Sequence, residues 1–313
     1  KNWVKVRGYF GSQLIVLVVL WLLERLTISF GQGLPDIVFW TGANVFVVAT
    51  VALVVFTLVR HRRTDSFPDN FYFIGALPLF IVSKNLVLGS TTFVDGWMLS
   101  LGLFRLAIVV MLERTIVQFM RAHFQIEITS RPAIDRTIKA LAAIAVFGGF
   151  YPPWLSAGIN ATLGFLLLIR FLYWRPLASL RRLDVAIMYV AYLGLVTHLA
   201  LSALQLLGLW SGVGNLSVHA LTVGCMGLLI PAMMVRIALG HTGRKIVFDL
   251  VHRCALWLAI SSALLRVVAT QLFVSSYESI IVLSSVAWAA CFALLAVRLT
   301  PLLLAPRVDG KVH

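Results

Sequence analysis

Apolar runs long enough to cross a bilayer recur along the whole chain, and no other feature limits the fold so sharply. A hydrocarbon core about 30 Å thick needs about 20 apolar residues at about 1.5 Å each. About ten stretches approach or exceed that length: residues 11–30, 37–59, 71–90, 96–119, 136–154, 156–174, 184–208, 213–238, 246–273 and 279–304. Sixty per cent of the 313 residues are apolar and 12% are charged, which excludes a soluble domain. The expected fold is all-α, a polytopic membrane helix bundle of about ten transmembrane helices forming a single integral membrane domain over residues 1–313. The fifth and sixth spans are the least separate, because Tyr151-Pro152-Pro153 breaks the helical pattern between them.

The formal charge of +14 would suit nucleic acid. The Lys and Arg residues, however, sit in short clusters between apolar runs, with no basic stripe interleaved with aromatics, so nucleic acid is excluded and the lipid bilayer is the expected partner. Every second connection is basic: Lys1, Lys5 and Arg7; Arg60, Arg62 and Arg63; Arg121, Arg131, Arg136 and Lys139; Arg170, Arg175, Arg181 and Arg182; Arg236, Arg244, Lys245 and Arg253; Arg298, Arg307 and Lys311. The other connections carry only Asp36, Asp95 and Glu278. The positive-inside rule then puts both termini in the cytoplasm. Cys225, Cys254 and Cys291 lie inside apolar runs without a CxxC pair, which argues against a disulfide framework.

The remaining cations, Arg25, Lys84, Arg105, Arg114 and Arg266, fall within spans. Charges there are costly and mark interior sites. Counting inward from the outer ends places Arg25, Lys84, Arg105 and Arg266 at a common depth of roughly 10–13 Å, with Glu24 beside them. They read as partners for an anionic group such as haem propionates, for a small inorganic anion, or as side chains snorkelling outward.

His198 and His219 lie about equally far from the Gly208–Gly214 turn, on consecutive antiparallel helices. Equal arms bring both imidazoles to one level, where they serve as metal ligands or as hydrogen-bonding partners between helices. His241 is 22 positions beyond His219, about 33 Å along a straight helix, so the two cannot hold one metal together. Met226 and Met233 offer thioethers for Cu(I) but also fit ordinary packing. Gly240-His241-Thr242-Gly243-Arg244 reads equally as an anion-holding turn using Arg244 or as a helix C-cap. No Ser/His/Asp set, paired carboxylates or phosphate loop appears, so catalytic residues are not assigned.

The block His219-Ala220-Leu221-Thr222-Val223-Gly224 followed by Leu239-Gly240-His241-Thr242-Gly243-Arg244 resembles the NnrS family of bacterial membrane proteins. Asn2-Trp3 with Leu20-Trp21-Leu22, then Asn70-Phe71-Tyr72-Phe73, support it. Arg114 to Phe119, Trp174 to Leu177 and Tyr192 to Leu195 follow in the family's order. The resemblance implies a multi-pass bacterial inner-membrane protein containing haem and copper, linked to nitric oxide metabolism and nitrosative-stress tolerance. It carries over His219, His241 and Arg244. Family members usually begin with two further spans bearing a His-rich segment, ahead of the Asn-Trp that here is Asn2-Trp3. Those spans are absent from this sequence, so partner subunits supplying missing helices are an expectation.

The resulting expectation is a haem- and copper-binding protein with His219, His198 and His241 as metal ligands. Arg25, Lys84, Arg105, Arg266 and Arg244 would hold the cofactor. Two other readings stand beside it: a metal-free accessory or assembly subunit of a respiratory-type membrane complex, and a small-anion transporter.

Overall fold

Long apolar segments satisfy their own backbone as helices, and the computed structural model, which describes residue 9 and residues 11–310, contains no strand among them. The long helices are α1 (Ser12–Phe30), α2 (Asp36–Gly42), α3 (Val45–Arg60), α4 (Phe71–Leu88), α5 (Phe93–Phe124), α6 (Pro132–Ile144), α7 (Pro153–Tyr173), α8 (Leu183–Leu206), α9 (Leu216–His241), α10 (Leu250–Leu272) and α11 (Tyr277–Leu304). Lys1, Asn2, Trp3, Lys5, Arg7 and Lys311 lie outside the described residues.

Among the described residues, 8 helices are long and apolar enough to cross a membrane, or up to 9 when the bent pair α2–α3 counts as one span. The expected count was about ten. The shortfall is at 136–154, where α6 runs for only 13 residues before a 3₁₀ turn over Ala145–Phe150. Gly148 and Gly149 weaken the helix there, and Pro152 and Pro153 cannot continue it.

The described helices form two compact units, one within residues 11–107 with 146–150, the other within residues 108–145 with 151–310. In the first unit the organising contact is at the 44° bend between α2 and α3. The break leaves orphan N–H groups at the start of α3 and orphan carbonyls at the end of α2. Glu24 of α1, 1% exposed, accepts from the Phe46 and Val47 backbone N–H groups at 3.0 Å each. Lys84 of α4 donates to the Ala43 carbonyl and pairs with Glu24 at 2.7 Å. Asn44 and Asn85 exchange amide hydrogen bonds of 2.9 and 3.0 Å across the same gap. A carboxylate thus meets the positive end of one half-helix and an ammonium the negative end of the other.

The second unit carries its own charge network. Glu113 accepts from Lys139 at 3.0 Å and from Arg170 at 2.8 Å. Arg170 has no exposed side-chain surface, donates to the Tyr192 hydroxyl and stacks on Trp174 at 4.6 Å. Asp184 pairs with Arg236 at 2.5 Å and Arg182 at 3.1 Å, and Arg236 also lies 3.8 Å from the Phe119 ring centroid. Lys139, Arg170 and Arg236, expected in the basic connections, lie in helices instead. Lys139 lies in the middle of α6, and Arg170 and Arg236 lie near the ends of α7 and α9, where acids on neighbouring helices draw them inward.

At the start of α10, Asp249 accepts from the His252 backbone N–H at 3.0 Å and from Arg298 at 2.6 Å. Burial raises its pKa, but the His252 N–H and Arg298 outweigh that and hold it below the ordinary carboxylate value.

Two outcomes follow. Glu24→Met leaves the part-buried Lys84 without its acid and is expected to cost about 3 kcal/mol in detergent unfolding, whereas Glu24→Met with Lys84→Met recovers most of the loss; a double variant no better than the single contradicts the pairing. A lowered folded pKa gives stability that is complete above the unfolded value and is lost as pH falls through the folded one. The wild-type unfolding temperature should therefore drop more steeply below about pH 4 than that of Asp249→Asn; parallel curves would remove Asp249 from the account.

Candidate functional site

Two of the second unit's helices depart from α geometry. Helix α9 has a π turn over Thr222–Met226 and α10 has one over Leu265–Ala269. Such turns are rare and collect at functional sites. Both border one cavity of about 320 Å³, lined by His219, Thr222 and Val223 of α9, Ser262 and Arg266 of α10, and Ser284, Ser285 and Trp288 of α11. Glycine makes the arrangement possible. A Cβ on Gly194 of α8 would overlap the Gly224 carbonyl, and one on Gly227 would strike the Trp288 ring. The far wall is pinned by Ser262 and Ser284, which donate to each other's backbone carbonyls at 2.9 and 3.0 Å.

Within the cavity, Arg266 Nη2 lies 3.4 Å from His219 Nε2. A guanidinium only donates, so Nε2 is the lone-pair nitrogen of a neutral ring, the form that a metal binds. The contact is long for a hydrogen bond and is readily exchanged. Arg266 makes no ion pair among the described residues. The cavity therefore offers an imidazole lone pair, a guanidinium and several hydroxyls beside one indole.

His198 is 3% exposed and its Nδ1 lies 2.6 Å from the Ser217 carbonyl, two residues before His219. The carbonyl only accepts, so Nδ1 carries the proton. His198 thus meets α9 close to His219 but is not in the cavity lining. Arg25 and Lys84 belong to the first unit, where both contact Glu24, at 2.9 and 2.7 Å. Protein thus already supplies the anion that they were expected to need. Arg105, 6% exposed, is in the same unit.

His241 and Arg244 form a helix terminus. Gly243 sits at φ 74°, the Arg244 N–H bonds the Leu239 carbonyl at 2.9 Å and the Gly243 N–H bonds the Gly240 carbonyl at 3.3 Å. This is a Schellman cap. The chain's C-terminal segment closes over it: Val308 donates to the Thr242 carbonyl at 3.1 Å and Arg307 to the His241 carbonyl at 2.7 Å. No group of three or more His, Cys, Asp or Glu that could hold a metal occurs among the described residues. Cys225 is buried core, and Met226 and Met233 are half-buried on α9.

The π turns and the cavity carry no sequence signal beyond glycines at 194, 224 and 227. Placing any side chain on Gly243 should strain the cap by about 1–2 kcal/mol and press against Asp309. Gly243→Ala is expected to speed proteolytic cleavage in the segment after Leu304; cleavage at the wild-type rate would separate the cap from the C-terminal contact.

Comparison with curated proteins and with solved structures gave no match. The family of NnrS proteins matches residues 1–307, taking in both the cavity helices and the capped turn. This chain belongs to the NnrS family.

Proposed function

We propose that the chain is a bacterial inner-membrane protein that binds haem in its second unit and handles nitric oxide. The observation that carries this is the pairing, in one cavity, of the His219 lone pair with an arginine that has no carboxylate partner among the described residues. The donor set suits a cofactor that brings most of its own ligands: His219 would bind its metal, and Arg266 would pair with an acidic group on it. It suits a copper ion held by side chains much less, since no cluster of three donors is present among the described residues. Haem would supply an iron centre able to take up a small diatomic ligand.

The chain's own residues have definite parts in this reading. Arg266 holds the ring of His219 neutral, with Nε2 turned to the cavity. If Nε2 were to hold a metal, Arg266 would be left free to pair with a carboxylate of the bound group, so its part-buried charge would keep a partner. Trp288 gives a flat apolar wall, and Ser262 and Ser284 fix the distance between α10 and α11. His198, anchored by Ser217, braces the start of α9 and is the candidate for a second ligand. His241 and Arg244 belong to the capped end of α9 and are given no ligand role in this reading. Nitric oxide is small, uncharged and soluble in lipid, so it needs no polar channel.

Purified protein should show Soret absorption that is lost in His219→Ala. Arg266→Gln should keep the band and weaken haem retention about 10-fold, the scale of one charge-assisted hydrogen bond. His241→Ala should leave the spectrum unchanged. Wild type without haem, or an unaltered spectrum in His219→Ala, would overturn the proposal.

A further inference from the structure

The first unit has a second hollow, of about 640 Å³, at the end of α3, lined by Val59, Arg60, Arg62 and Arg63. Arg60 closes the helix and the other two arginines belong to the 3₁₀ turn that follows. None of the three makes an ion pair or a side-chain hydrogen bond among the described residues; Arg60 alone has a ring contact, 5.7 Å from the Phe56 centroid. Asp65, the carboxylate two residues on, is turned away. Its oxygens take the Phe67 backbone N–H at 2.9 Å and the Asn70 amide at 2.9 and 2.8 Å. Three guanidiniums thus surround one hollow with their nearest acid in the sequence committed elsewhere.

The same helix continues below the hollow as an apolar strip. Val48 is 44% exposed, Phe56 59% and Val59 55%. These positions follow the three- and four-residue spacing of one helix face. From Val48 to Arg60 is about 18 Å along the axis, a little over half of the hydrocarbon core. A ligand that fills the whole feature has a phosphate among the arginines and a hydrocarbon chain along the strip. Polyanions without a chain, and acidic peptides, leave the strip bare.

We infer that Arg60, Arg62 and Arg63 form a binding site for the headgroup phosphate of an anionic phospholipid, with Phe56 and Val59 against its acyl chain. Arginine forks hold a phosphodiester through paired N–H donors, and each basic group at a membrane surface favours an anionic lipid roughly fivefold.

The test is native mass spectrometry of the full chain, delipidated in detergent and offered equal phosphatidylglycerol and phosphatidylethanolamine. Wild type should retain phosphatidylglycerol at least about tenfold over its zwitterionic competitor. The combined Arg60→Gln, Arg62→Gln, Arg63→Gln variant should approach parity, while Arg136→Gln, on an exposed part of α6, keeps the preference. A melting curve in detergent separates loss of binding from loss of fold, and Arg62→Gln alone, expected to lose roughly fivefold, serves if the triple variant is unstable. Equal retention of both lipids by wild type, or an unchanged preference in the variants, overturns the site. Full displacement by inorganic phosphate, with equal thermal protection by either, makes it a free-phosphate site and overturns the lipid assignment.

Discussion

An ionised group inside a membrane-crossing helix cannot be left facing hydrocarbon, and the pairing this forces organises both units. Glu24 and Lys84 hold the bend of the first, where a helix breaks and exposes backbone that lipid could not satisfy. Glu113, Arg170, Asp184 and Arg236 tie the helices of the second. Removing either member of such a pair strands the other, so these contacts constrain which helices can neighbour one another more than they add to stability.

Against that background the His219 cavity is distinctive. Arg266 lies in a span, on a π turn, and its contact among the described residues is a neutral imidazole rather than an acid. A second π turn faces it from α9, and glycines at 194, 224 and 227 let the backbones and Trp288 close in. Folding has bent two helices out of their preferred geometry around a space that the protein's own side chains leave open. That is the pattern expected where a bound group completes the structure.

Much of this was readable from residues alone. Apolar length identified the helices, because a bilayer sets a minimum span that side-chain chemistry cannot disguise. The level shared by His198 and His219 followed from equal distances to one turn, and Ser217, which bonds His198, is two residues from His219. The division of charge was less legible. Arg170 and Arg236 looked like loop cations because they stand near helix ends, and only the tertiary placement of Glu113 and Asp184 draws them in. Arg25 and Lys84 looked like anion holders because counting put one carboxylate, Glu24, at the level of four cations and could not say which of them it pairs with. The π turns had no visible signature, since an extra residue in a helical turn leaves the apolar pattern almost unchanged. The Gly-His-Thr-Gly-Arg turn shows the opposite case: a family-marking block whose local physics is that of a helix terminus, with positive φ at Gly243.

The proposed binding position is the space between His219 Nε2 and the Arg266 guanidinium. A high-resolution cryo-EM map of protein purified gently from its membrane tests it most directly. Density for a bound group bridging the two side chains, with their 3.4 Å contact opened, is the expected result. A closed cavity, with Arg266 turned to an acidic residue and nothing beside the imidazole, would contradict it.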